Sequence, residues 1–225
     1  MKMRLKNVVG KVIFLFALAV ILFGISRSTA FAKESGNIAD AGAYIGNIRI
    51  CNEETGEVCE IPMDQTKLVA QRSVDSEDGT VTETHEAIIE IDKDGSASYV
   101  ESVPPMTRSD ATAADSNTYW KASITITYTV NSSTASLTKV TGYWTQLRGN
   151  TTLSNRKVYY AIDAGLTGDS DTKYPTSNSF SYNTGFATFS SNRLYSIGAN
   201  SSATITTEAG LQLQIVANVE KKYTS

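Results

Sequence analysis

The chain has 225 residues, 20 Lys and Arg against 23 Asp and Glu, one His and two Cys, and a formal net charge of −3. A single His excludes a multi-His zinc centre, and the acidic balance disfavours phosphate backbones, so nucleic acid is not an expected partner. A chain of this length builds one sizeable domain or two small ones.

Lys2, Arg4, Lys6 and Lys11 precede an apolar run of 14 residues, Val12 to Ile25, and the small-residue triplet Ala30-Phe31-Ala32 follows. This is the order of a secretory signal over residues 1–32, with cleavage expected after Ala32. The run is shorter than the roughly 20 residues that span a bilayer as a helix. The expected product is secreted and extracellular, and after cleavage a membrane is not an expected partner. Loss of Lys2, Arg4, Lys6, Lys11 and Arg27 leaves 15 basic residues against 23 acidic ones, a net charge of −8.

Residues 33–106 read as an N-terminal β-hairpin unit. Ile48–Cys51 and Val58–Met63 flank Glu53-Glu54-Thr55-Gly56; Leu68–Val74 and Val81–Ile91 flank Asp75 to Gly79; Ile88–Ile91 and Ser98–Val103 flank Asp92-Lys93-Asp94-Gly95. Each break is a turn signal between strand-like runs. Pro104-Pro105 ends the last run, and residues 107–118 contain no large apolar side chain, which predicts a linker.

From residue 119 to 225 the period is two. Trp120, Ala122, Ile124, Ile126, Tyr128 and Val130 alternate with Lys121, Ser123, Thr125, Thr127 and Thr129; Val158–Ala164 and Leu211–Val219 repeat the pattern. Alternation puts the apolar set on one face of a half-buried strand, whereas a helix would scatter it. The fold expected is all-β: an antiparallel β-sandwich preceded by a small N-terminal β-meander. The stretches Trp120-Lys-Ala-Ser and Leu137-Thr-Lys-Val-Thr-Gly-Tyr-Trp144 resemble secreted, β-rich proteins of Gram-positive bacteria to which no activity is attached. The resemblance, over residues 117–218, implies secretion and β architecture and brings no site with it.

No catalytic residue is singled out. His85 would have to serve any Ser-His or Cys-His mechanism, but no nucleophile elbow accompanies it, and it reads as a partly exposed strand residue. A carboxylate pair acting on glycans needs no His, yet nothing selects a pair among 23 acids. Glu90, Asp92, Asp94, Gly95, Ser96, Ser98 and Glu101 follow the ligand spacing of a calcium loop, which makes Asp92, Asp94 and Glu101 the metal candidates. Strand-like flanks and the strength of Asp-Gly as a hairpin turn favour a plain turn instead. No cofactor is expected, calcium being the one cation the spacing permits.

Cys51 and Cys59, in a chain expected to be exported, are read as a disulfide across the first hairpin. Adjacent aromatic pairs in strands offer one ring to the core and one outward, so Tyr119, Tyr143 and Tyr159 are the candidate ligand-binding residues. The leading reading is a secreted, non-enzymatic β-sandwich that binds an extracellular protein, a glycan or another copy of itself. The alternatives are a glycan-acting hydrolase, or a membrane-active toxin using the hydroxyl-rich hairpin Trp120–Trp144.

Overall fold

The alternation of small polar and apolar residues decides where each strand of this protein lies. A computed structural model describes residues 43–62, 71–74, 79–104 and 117–223. In chain order its strands are β1 (Ala43–Asn52), β2 (Val58–Pro62), β3 (Gln71–Val74), β4 (Thr80–Ile91), β5 (Ala97–Val100), β6 (Thr118–Val130), β7 (Thr134–Arg148), β8 (Thr152–Ala164), β9 (Thr167–Lys173), β10 (Ser179–Asn183), β11 (Phe189–Ser190), β12 (Ser196–Thr206) and β13 (Gln212–Lys222). Among the described residues the only helical element is one 3-10 turn, Ser191–Arg193, and no helix is long and apolar enough to cross a membrane. The expected signal segment, residues 1–32, lies outside the described residues.

The strands form two antiparallel sheets, neither closed into a barrel. One runs β2-β1-β13-β12-β8-β9; the other runs β10-β7-β6-β4-β3, with β5 beside β4 and β11 beside β7. Their apolar faces meet as a β-sandwich. Ile48, Ile50, Val158, Ile162, Ile197, Ile205, Leu213, Ile215 and Val219 come from the first sheet. Val81, Ile89, Ile91, Trp120, Ile124, Ile126, Leu137, Val140 and Trp144 come from the second. Burial of these side chains is worth roughly 1.5–3 kcal/mol each.

The described strands between residues 43 and 104 do not form a sheet of their own. β1 pairs with β13 from Ala43↔Lys222 to Asn52↔Leu213, and β4 pairs with β6 from Thr80↔Thr129 to Ile91↔Thr118. Each sheet therefore draws strands from both sides of the segment read as a linker, of which residues 107–116 lie outside the described residues. The reason is burial: the inward side of β4, with Val81, Ala87, Ile89 and Ile91, needs a second layer that a few short hairpins cannot supply.

Aromatic rings join the two sheets at one flank. Trp144 on β7 packs against Phe180 on β10, with centroids 5.3 Å apart. Phe180 stacks on Tyr182 at 5.8 Å, and Tyr182 on Tyr160 of β8 at 6.3 Å. The chain makes room for Phe180 with Gly142, its cross-strand partner. A Cβ at Gly142 would sit 2.5 Å from Phe180 Cζ and 2.4 Å from the backbone oxygen of Ser123. The ring can turn away; the ladder oxygen cannot without breaking pairing. Gly142→Ala should therefore lower stability by about 1–3 kcal/mol, the cost of overpacking a close-fitting core. A denaturant melt with a lower midpoint and unchanged slope checks it.

Candidate functional site

The outer face of the seven-stranded sheet is rich in hydroxyls that satisfy one another. Thr84 and Thr125 hydroxyls lie 2.8 Å apart across β4 and β6, Thr82 and Thr127 3.3 Å, Thr80 and Thr129 3.2 Å. Farther along the same face, Lys121 Nζ pairs with Glu86 at 2.5 Å, and the Tyr143 hydroxyl donates to the same carboxylate. The bond to Glu86 holds the Lys121 ammonium above its usual pKa. Burial, and then that carboxylate, hold the Tyr143 phenol up.

Tyr119 departs from the expectation. It is 4% exposed, so Tyr119 and Trp120 are both buried. The cause is a bulge: Tyr119 faces Arg148 while Trp120 faces Gln146, leaving Leu147 as the extra residue of β7. The Arg148 guanidinium then covers the Tyr119 ring at 5.1 Å from its centroid. The Tyr119 hydroxyl donates to Glu90 Oε1 at 2.5 Å. Burial first, then that bond, push its pKa up to about 12, so it is a neutral donor already committed.

Tyr159 is different. It projects from the outer face of the other sheet and is 43% exposed. The strand registers place it in one row with residues that no linear motif connects: Asn47 (β1) opposite Asn218 (β13), Asn218 opposite Asn200 (β12), Asn200 opposite Tyr159 (β8), and Tyr159 opposite Thr172 (β9). Their chain neighbours Ile48, Ala217, Ser201 and Tyr160 are buried, which fixes the row on the outer side. Beside it the sheet is low, with Gly198 and Ala161 directly paired. Asn47 Nδ2 donates to Glu60 Oε1 at 2.5 Å, anchoring one end. Of the three candidate tyrosines, then, Tyr119 and Tyr143 share one face and Tyr159 belongs to the opposite one.

The acidic loop is a hairpin turn. Gly95 N–H donates to the Asp92 carbonyl at 3.0 Å and Asp92 N–H to the Ser96 carbonyl at 2.9 Å, with Gly95 at φ +84°. Asp94 Oδ1 accepts from Ser96 N–H at 2.9 Å, a bond that holds its carboxyl below the usual range, and Asp92 Oδ2 accepts from the Ser96 hydroxyl. Glu101 lies exposed beyond β5, and Glu90 is taken by Tyr119 and Asn117. Among the described residues no three His, Cys, Asp or Glu side chains are grouped to hold a metal ion. Gly95 itself packs against Asn52 Nδ2 and Leu211, at 3.0 and 3.2 Å from where a Cβ would stand. Gly95→Val should therefore cost more than about 1 kcal/mol, from positive φ together with that contact. Asp94→Asn should cost little, and calcium should leave the melting temperature of both the parent and Asp94→Asn unchanged.

The Cys51–Cys59 bridge is not formed; both thiols are free. The register pairs Cys51 with Val58 and Ile50 with Cys59, so the two side chains project from opposite faces of the hairpin. Cys59 packs against the core beside buried Ile50, and burial, then the Glu57 charge, raise its thiol pKa. Reduction should leave the protein mass unchanged, and a limiting alkylating agent should label Cys51 well before Cys59.

His85 is a core residue, not a partly exposed one. It is 2% exposed, because it shares the inward phase of β4 with Val81, Glu83 and Ala87. Glu83 beside it is also 2% exposed, and accepts from the Tyr128 hydroxyl at 3.0 Å. Burial pushes the Glu83 carboxyl up to about 7, against the opposing pull of the Tyr128 bond and of Lys221.

No protein-family model matches the chain, and neither curated proteins nor solved structures include a significant match to it. Asn47, Asn200 and Asn218 are residues to which the sequence alone assigns no binding role. Each occupies an ordinary outward position of its strand, and only the cross-strand registers line them up.

Proposed function

We propose that this chain is a secreted, non-enzymatic β-sandwich that binds a glycan at or beyond the cell surface, through the outer face of the six-stranded sheet. The observation that carries the reading is the row Asn47–Asn218–Asn200–Tyr159, which crosses four strands of that face. Neighbouring strands are about 4.8 Å apart, so the row offers primary amides at a spacing comparable with the hydroxyls of successive sugar rings. Each amide both donates and accepts. Tyr159 supplies a ring face for the apolar side of a sugar, beside the low ground of Gly198 and Ala161.

A protein partner is less well supported. Tyr159 is the only large apolar side chain in the row, and the sheet edges are guarded against strand addition by Asp169, Asp171 and Lys173 on β9 and by Pro62 at the end of β2. Against a Ser-His or Cys-His mechanism speaks the burial of His85, which is 2% exposed. Against a membrane-inserting hairpin speaks the position of β6 between β4 and β7, with Trp120, Tyr128 and Trp144 in the core.

Retention of the protein on purified cell-wall glycan, and titration with soluble oligosaccharides derived from it, test the proposal. Tyr159→Ala should weaken binding about tenfold, equivalent to about 1.4 kcal/mol, and Asn218→Ala should weaken it further. Tyr143→Phe, on the opposite face, should bind like the parent. No retention on any glycan, or full retention by Tyr159→Ala, would overturn the assignment.

A further inference from the structure

The row of asparagines and Tyr159 has a second row beside it, two residues along each strand. Arg49 (β1) lies opposite Val216 (β13), Val216 opposite Ser202 (β12), and Ser202 opposite Lys157 (β8). Their chain neighbours Ile50, Ile215, Ala203 and Val158 are buried, so this row also faces outward. The two rows run side by side, about 7 Å apart. Together their eight residues hold two cations, Arg49 and Lys157, and no acid. Two other lysines of this sheet are paired with acids, Lys173 with Asp171 at 2.7 Å and Lys222 with Glu220 at 3.8 Å. Among the described residues, Arg49 and Lys157 have no hydrogen bond or ion pair. Glu60, directly opposite Arg49 on β2, accepts from Asn47 Nδ2 at 2.5 Å instead. Glu220, two residues beyond Asn218 on the far side of the asparagine row, is the acid held by Lys222.

We infer that the glycan held on this face is acidic, a chain carrying carboxylates on its sugar rings, and that Arg49 and Lys157 take those carboxylates. The inference rests on the reading of this face as a glycan site. Arg49 and Lys157 stand three strand spacings apart, about 14 Å between their backbones, which suits two carboxylates of one extended chain. A guanidinium holds a carboxylate through two parallel N–H···O bonds, and an ammonium holds one as a point charge. Between them Ser202 offers a hydroxyl, while the amides of the adjacent row take ring hydroxyls and Tyr159 takes a ring face. Charge selects the place. Residues 33–225 carry 23 acidic against 15 basic side chains, so the surface as a whole repels a polyanion. Screening confines that repulsion to about 8 Å at physiological salt, and within that range two uncommitted cations decide the sign.

Titration of the protein with polygalacturonate, hyaluronate and alginate, each beside its carboxyl-reduced neutral form, tests this. A uronate should bind about tenfold more tightly than its reduced form, since each exposed ion pair is worth up to about fivefold. The double variant Arg49→Gln/Lys157→Gln should remove that preference and melt like the parent, because both side chains lie outside the core. Tyr159→Ala should weaken the acidic and the neutral form alike. Equal binding of both forms, unchanged in the double variant, would overturn the acidic preference and leave the glycan site standing. A uronate preference that survives the double variant would also overturn it. Binding of dextran sulfate as tight as that of the uronates, and indifferent to Tyr159→Ala, would reduce it to plain polyanion adsorption. Failure of every uronate and every neutral form to bind would overturn this inference and the glycan site together.

Discussion

The pairing of β1 with β13 is the contact on which the remaining architecture depends. Ten residue pairs, Ala43↔Lys222 to Asn52↔Leu213, join the earliest described strand to the last. This pairing places Ile48 and Ile50 under the inner face of the second sheet and makes β2 an edge. It also turns the first hairpin so that Asn52, whose Oδ1 accepts from Glu54 and Thr55 N–H, lies against Gly95 of the β4–β5 turn. The opposing sheet is closed by the equivalent join of β4 to β6. Without these two ladders, neither the N-terminal hairpins nor the long strands that follow would have a cover for their apolar sides.

The two outer faces are finished in different ways. On the seven-stranded sheet, threonine pairs and the Glu86–Lys121–Tyr143 and Glu90–Tyr119–Arg148 groups bind one another, so their polar atoms are already engaged. On the six-stranded sheet, Asn200, Asn218 and the exposed ring of Tyr159 stand in a row over small neighbours. A face that satisfies itself has little to offer a ligand; one with aligned amides and an open ring has more. This asymmetry separates Tyr159 from Tyr119 and Tyr143, although all three come from aromatic pairs of the same kind.

Strand positions were legible because burial in a sandwich imposes a period of two, and Trp120–Val130 and Leu213–Val219 carry that period cleanly. The same alternation holds in β4, where Glu83 and His85 share the phase of Val81, Ala87 and Ile89. Polarity suggested surface for His85, yet the phase of the strand outweighed the identity of the side chain, because turning His85 outward would also expose its apolar neighbours. Register was not legible. A shift of one residue separates Cys51 from Cys59, and a one-residue bulge at Leu147 buries Tyr119; both depend on partners far away in the chain. The asparagine row is the extreme case, since it sets Asn47 of the first described strand directly opposite Asn218 of the last.

β13, the last strand, is not at an edge: it lies between β1 and β12. A chain that emerges from its N-terminus onward therefore cannot assemble the six-stranded sheet until nearly all of it is available. β1 waits for a partner some 170 residues away in sequence, which puts this protein among slow-folding topologies dominated by long-range contacts. Until then Ile48 and Ile50 have no neighbour strand except β2, a hairpin too small to hold its shape alone. Such an order of events commits the chain to its final shape only once nearly its whole length is available to pair.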